Sequence, residues 1–174
     1  LEADARKGAR VGRHLIAMQH KVLEEECGIE HVFGCAQLDR IVVEFGDDRE
    51  VLEASFGFMR GAQTAYVDVV EAVAPPRSRL LKSGPIARET VLEFFDVCNA
   101  KMNTMRFRDA LNAHWRATKT PPNQLIIDAQ RGVLEALGVE KEHGCQRLSG
   151  IQRDFPNDQE VHTKMQIWMH TAQE

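Results

Sequence analysis

The hydrophobic positions of this chain recur at intervals of three and four residues almost from end to end, the spacing that gathers side chains onto one face of an α-helix. Val11, Leu15, Met18 and Val22 mark a first helix that runs to about residue 26, and Gly28 breaks it. Val32, Phe33, Leu38, Ile41 and Val42 mark a second over 30–45. After Gly46, Asp47 or Asp48 caps a third that begins at Arg49 and carries Val51, Leu52, Phe56 and Met59. Gly57 and Gly61 divide it from a fourth that ends near residue 74, where Ala62, Tyr66 and Val69 keep helical spacing. That valine-rich stretch, 66–74, is the one place where a strand competes. Pro75 and Pro76 stop it, and the segment 75–84, PPRSRLLKSG, is the longest break and the expected joint between two halves, 1–74 and 85–174.

In the second half, Pro85 opens a helix that carries Val91, Leu92, Phe94, Phe95, Val97 and Cys98 as far as Met102. A helix over 106–118, with Phe107, Ala110, Leu111 and Trp115, is stopped by Thr120, Pro121 and Pro122. Another over 125–137 ends at Gly138, a normal helix terminator. Two more follow, over 143–155 and from 158 to the end, the last with Val161, Met165, Trp168 and Met169.

The pattern is also repeated. The stretch 144–158, GCQRLSGIQRDFPND, lies without a gap over 34–48, GCAQLDRIVVEFGDD, at an offset of 110. From Gly34 to Gln63 the identical positions are Gly34, Cys35, Leu38, Ile41, Phe45, Asp48, Glu50, Val51, Met59, Ala62 and Gln63. A looser match at a shift of 34 brings Ala110, Ala117, Pro122 and Asn123 onto Gly144, Ile151, Pro156 and Asn157. The first two copies read as a small residue, a large apolar residue four on, another three further, and then a glycine or proline that ends the helix, and Ala110, Ala117 and Pro122 follow the same spacing with His114 odd in the middle slot. The small residue lets a neighbouring helix come close, so Gly34, Ala110 and Gly144 are expected at tight crossings.

A small residue, two apolar positions and a closing proline at these intervals resemble the tetratricopeptide repeat family, whose unit is a 34-residue helix-turn-helix. The run from Pro156 to Val161 resembles that family's junction between units, while its large aromatic of the first helix is met only by Phe94 and its next small position by Cys98. The resemblance implies an all-α fold of antiparallel helix pairs stacked as a short solenoid, one repeat domain over 1–174. It also implies a concave groove lined by the first helix of each unit. In that register Phe95, Asn99 and Met102 face Gln130 and Val133 of the next unit, and Lys164, Ile167 and Trp168 of the last. Asn and Lys would fix a partner's backbone or terminal carboxylate, and Phe and Met would supply adaptable apolar contact. Packing within the chain itself is the competing explanation for each. Trp168 also makes association between copies an expectation.

Composition narrows the function. The 174 residues, 43% hydrophobic and 28% charged, are those of an ordinary globular protein long enough to bury a core. No apolar run reaches membrane-spanning length. The net charge of −4 disfavours nucleic acid, although Arg106, Arg108 and Arg116 make a local basic stripe. Cys27, Cys35, Cys98 and Cys145 form no CxxC, and two share one slot of the repeat, which points to packing in a reducing compartment. Arg6, Lys7, Arg10, Arg13 and His14 make the entry basic. A solvated helix face explains this, and so does a position just behind a membrane anchor or a removed targeting segment that precedes Leu1. The size, the degenerate repeats and the Arg, Ala, Met and His usage resemble the kinetoplastid mitochondrial membrane-anchored MIX family. That resemblance implies a scaffold at the mitochondrial inner membrane.

Candidate chemistry is sparse. Cys27, His31 and Cys35 at four-residue steps could present thiolate, imidazole and thiolate to zinc, but Gly28 interrupts the helix and Cys35 fills a packing slot. His143 and Cys145 lie on opposite helix faces, and His114 beside Trp115 fits a core histidine. Asp47, Asp48 and Glu50 resemble part of a calcium loop and are explained by capping. There is no phosphate loop, dinucleotide fingerprint or glycine-flanked serine. The expectation is therefore a non-enzymatic scaffold without catalytic residues, metal or cofactor, which binds a protein or peptide segment and reaches a membrane only through an anchor. The alternative is a helical enzyme or small-ligand binder with a pocket between the two halves.

Overall fold

The structure is a computed structural model that describes residues 20–172, less the side chains of His31, Asp39, Val42 and Met59. The basic entry and all but the end of the first expected helix lie outside the described residues. The fold is all-α, with no strand among the described residues. The chain forms two compact units, Leu1–Ala62 and Gln63–Glu174.

In the first unit a short π-helical turn, Val22–Glu26, runs into Gly28, whose φ of +66° is open to glycine and strained for other residues. Helix α1, His31–Glu44, follows, capped by the Glu30 carboxylate, which accepts from the amides of Val32 and Phe33 at 3.1 and 2.8 Å. Helix α2, Arg49–Ala72, is capped by Asp48, which accepts from Glu50 and Val51 at 2.9 and 3.2 Å. Gly57 and Gly61 do not divide it. Each glycine costs a helix interior only about 1 kcal/mol relative to alanine, less than the two turns of backbone hydrogen bonds that a break would forfeit. The competing strand over 66–74 is likewise helix as far as Ala72, and Tyr66, Val67 and Val70 are buried in the second unit.

The second unit is built around helix α3, Arg88–Asn103, which buries Val91, Leu92, Phe94, Phe95, Val97, Cys98, Ala100 and Met102. A helix that is apolar on nearly every side must be covered on every side. Here α4, Met105–Thr118, α5, Asn123–Ala136, and the final helix all pack on it. Helices α6, Lys141–Ser149, and α7, Ile151–Asp154, lead from α5 to α8, Gln159–Thr171, and α8 takes its most extensive packing from α3. The segment 75–84 is no free joint. Leu80 is buried, the Leu81 amide donates to the Gly138 carbonyl at 2.8 Å, and the Glu140 amide donates back to Leu81 at 2.9 Å. These bonds stitch 75–84 into the second unit, and the boundary falls inside α2 instead.

The repeat at an offset of 110 is a repeat of structure. Gly28 and Gly138 both end a helix at positive φ, and Glu30 and Glu140 both cap the next one. Gly34 and Gly144 are both buried under a leucine of the preceding helical segment, Leu23 and Leu134, at distances where an added methyl would collide. Phe45 and Phe155 both close a helix by donating to the carbonyls of Ile41 and Ile151, at 2.8 and 2.9 Å. Asp48 and Asp158 both start the next. The first copy of the leading helix is continuous and the second is broken at Gly150, where the first copy has Arg40. Ala110, the small residue of the looser 34-residue match, is exposed on α4, so the expectation of a tight crossing fails there.

Candidate functional site

The residues expected to line a groove do not share a surface. Phe95, Met102 and Val133 are core residues, with Phe95 and Val133 each 1% exposed. The Phe95 ring lies 5.6 Å from those of both Phe94 and Trp168, and Phe94 meets Trp168 at 6.0 Å. Trp168 is thus half-buried between α3 and α8. Lys164 is bound by Asp96 across the same pair of helices, which occupies its charge within the chain. Asn99 is half-buried, and both its side-chain oxygen and the Trp168 indole N–H are buried without a hydrogen-bond partner. Gln130 is half-exposed, and Ile167 is exposed. The physical reason is that α8 returns onto α3. A helix continuing an open stack would leave the inner face of α3 to a partner, and this one fills that face itself.

Polar anchors mark where α8 begins. Arg88 donates to both oxygens of Asp158, at 3.0 Å for one of them, and to Glu160 at 2.8 Å. These bonds hold the Arg88 guanidinium pKa above its ordinary value. The same hydrogen bonding, with a further bond from the Val161 amide, holds the Asp158 carboxyl down to about 2. A carboxyl depressed in the folded state contributes stability that is present above its unfolded value of 3.8 and is lost as pH falls through about 2. Asp158→Asn keeps an acceptor for the cap and removes the charge. It is expected to flatten the decline of melting temperature between pH 4 and pH 2 relative to the parent chain, as read by circular dichroism.

The cysteines weighed as zinc ligands differ in exposure. Cys27 is exposed, Cys35 is half-buried, and the His31 side chain lies outside the described residues. Among the described residues no group of three or more His, Cys, Asp or Glu is placed to hold a metal ion. Cys98 is buried, and desolvation pushes its thiol well above the ordinary range, away from nucleophilic use. Tyr66 is raised in the same direction by burial and by Glu93, to which its hydroxyl donates at 2.6 Å. Asp48 and Glu50 sit at a helix start. The second unit carries small clefts. One, of about 270 Å³, is lined by Pro85, Ile86, Val91, Leu148, Ile151 and Phe155, with the Arg147–Asp154 ion pair at 2.6 Å on its wall. Another, of about 240 Å³, lies beside Val67, Thr104 and Phe107 and holds the Lys101–Glu71 pair at 2.5 Å.

The notable surface belongs to the first unit. Val32, Phe33, Leu38, Ile41 and Val43 of α1 are all exposed, Val43 by 84% and Phe33 by 60%, as are Phe45, Phe56 and Phe58. Val32 and Val43 stand eleven residues apart on one side of α1, and Leu38 and Ile41 stand on the opposite side with Gly34. A helix with apolar side chains on opposing faces does not match a surface helix, which needs one. The first hairpin is α1 with α2, and the second is α6 and α7 with α8; in the second, Ile151, the counterpart of Ile41, is 4% exposed. Helical periodicity singles out Val32, Phe33, Leu38 and Ile41 but not Val43, the most exposed of them, and nothing in the letters marks which copy is left open. Among the described residues no helix is long and apolar enough to cross a membrane. No protein-family model, curated protein or solved structure matches the chain.

Proposed function

We propose that this protein is a non-enzymatic scaffold that binds other proteins, and that the first unit is its binding element. The observation that carries this reading is the run of exposed large apolar side chains on α1, from Val32 to Val43. Large apolar side chains exposed on both sides of one helix mark an interaction site, because water penalises them until a partner covers them. The stacked-repeat geometry and the mitochondrial inner-membrane position belong to the proposal on the strength of sequence resemblance.

The test is site-directed photo-crosslinking in living cells. A photoreactive residue at Phe33 or Val43 of the full chain is expected to give discrete adducts, while one at the exposed Gln166 of α8 gives none. Equal labelling at all three positions, or none at Phe33 and Val43, would refute the proposal. Adducts at twice the chain mass identify a second copy as the partner.

A further inference from the structure

We infer that the first unit seats an α-helix of a partner protein in the place that α3 takes on the second hairpin, and that this helix carries an arginine or lysine in its first turn. The inference rests on the scaffold reading above and gives the partner a chemistry.

The offset of 110 places corresponding residues of the two hairpins in register. On the second hairpin, α8 receives α3 in parallel orientation through a short series of positions. Asp158 and Glu160 take Arg88 from the first turn of α3. Val161, 0% exposed, and Met165 pack beneath it, Lys164 takes Asp96, and Trp168 closes on Phe94 and Phe95. The first hairpin holds Asp48, Glu50, Val51, Ala54, Ser55 and Phe58 at those positions. The two acids and the valine are identical, and an aromatic ring again stands at the far end. Yet Asp48 and Glu50 are exposed, Val51 is only half-buried, and Phe58 is 55% exposed. The seat therefore repeats the electrostatic and apolar anchors of the α3 site, with its anchors open to solvent.

The differences specify the ligand further. Two carboxylates, one of them at a helix start, call for a cation, and arginine can take both as Arg88 does. Ala54 in place of Lys164 leaves an acid at the position of Asp96 without a counterion, so the partner helix should be apolar there. Ala54 and Ser55 are smaller than Lys164 and Met165, so the facing side chains can be larger than those of α3. The expected occupant is an apolar helix of about four turns, basic at its start and free of acid at its centre.

The experiment uses a fluorescein-labelled peptide of residues 85–104 with Cys98→Ser, titrated with the full chain by fluorescence anisotropy. Saturable binding is expected, and the peptide variant Asp96→Leu should bind more tightly. The protein variant Asp48→Asn with Glu50→Gln keeps the cap acceptor. It should lower affinity roughly tenfold and reduce the salt dependence. Phe58→Asp, at an exposed site, should weaken binding at least as much, with circular dichroism confirming that both variants fold. Binding unchanged by Phe58→Asp would mean that the peptide exchanges with α3 in the second unit, and would overturn the inference. So would absent binding or a preference for Asp96 over leucine. If the peptide fails while crosslinks at Phe33 and Val43 persist, the seat is wrong and the scaffold stands. Loss of the crosslinks with binding intact gives the reverse.

Discussion

Phe95→Ala is expected to lower the melting temperature of the second unit by more than about 10 °C, whatever partners the protein has. The ring is 1% exposed and lies 5.6 Å from both Phe94 and Trp168, in edge and tilted orientations that aromatic pairs favour. Removing a buried phenyl group forfeits its transfer energy and leaves a cavity, together about 3–5 kcal/mol. A domain of this size has only about 5–15 kcal/mol in total, and each kcal/mol is worth about 4 °C or more. The measurement is a thermal melt followed at 222 nm, with guanidinium titration as a second estimate. A groove-lining Phe95 would behave in the opposite way, with an unchanged melt and weakened partner binding. The single substitution therefore separates a stack with an open inner face from the closed packing of α8 on α3.

That contrast shows what the letters could and could not carry. Breaks were legible because each has a local cause: glycine at positive φ at Gly28 and Gly138, and an acid accepting free amides at Asp48 and Asp158. The repeat was legible because its glycines, aromatics and caps are fixed by local geometry. Its structural extent is greater than the sequence match suggested, since it begins at Gly28 and Gly138 and includes the caps Glu30 and Glu140. The neighbours of each face were not legible. The apolar residues of α3 run round the helix, and that alone required burial on all sides. Assigning Phe95 and Met102 to a groove gave precedence to the family register over this requirement. The same blindness applies in the other direction to α1: Ile41 and Ile151 are one letter in one context, yet one is exposed and the other buried. The difference lies in which helices arrive from elsewhere, which periodicity does not encode. Proline and glycine in 75–84 marked a break in helix correctly, but a break in helix is not a break in packing, as the bonds of Leu81 to Gly138 and Glu140 make plain.

Gly144→Ala is expected to destabilise the second unit by about 1–2 kcal/mol, although alanine is the better helix former. A methyl group built at this position would stand 2.7 Å from both Leu134 methyls and 3.1 Å from their branch carbon, so rotation of the leucine offers no escape. Overpacking of this kind costs about 1–3 kcal/mol, and the gain in helix propensity returns less than about 1. Leu134 is itself only 2% exposed, and its truncation alone should cost about 2–5 kcal/mol through the space it leaves. Combined with Gly144→Ala, however, part of that space is filled, so the double variant should be more stable than the sum of the two single effects by at least about 0.5 kcal/mol. Denaturant titration of the four proteins measures the coupling. Strict additivity would mean that the two side chains do not meet. Gly34→Ala against Leu23 sets up the same cycle in the first unit, where the methyl would stand 2.9 Å from both leucine methyls. Coupling of the same sign in both cycles is the energetic signature of one helical hairpin used twice.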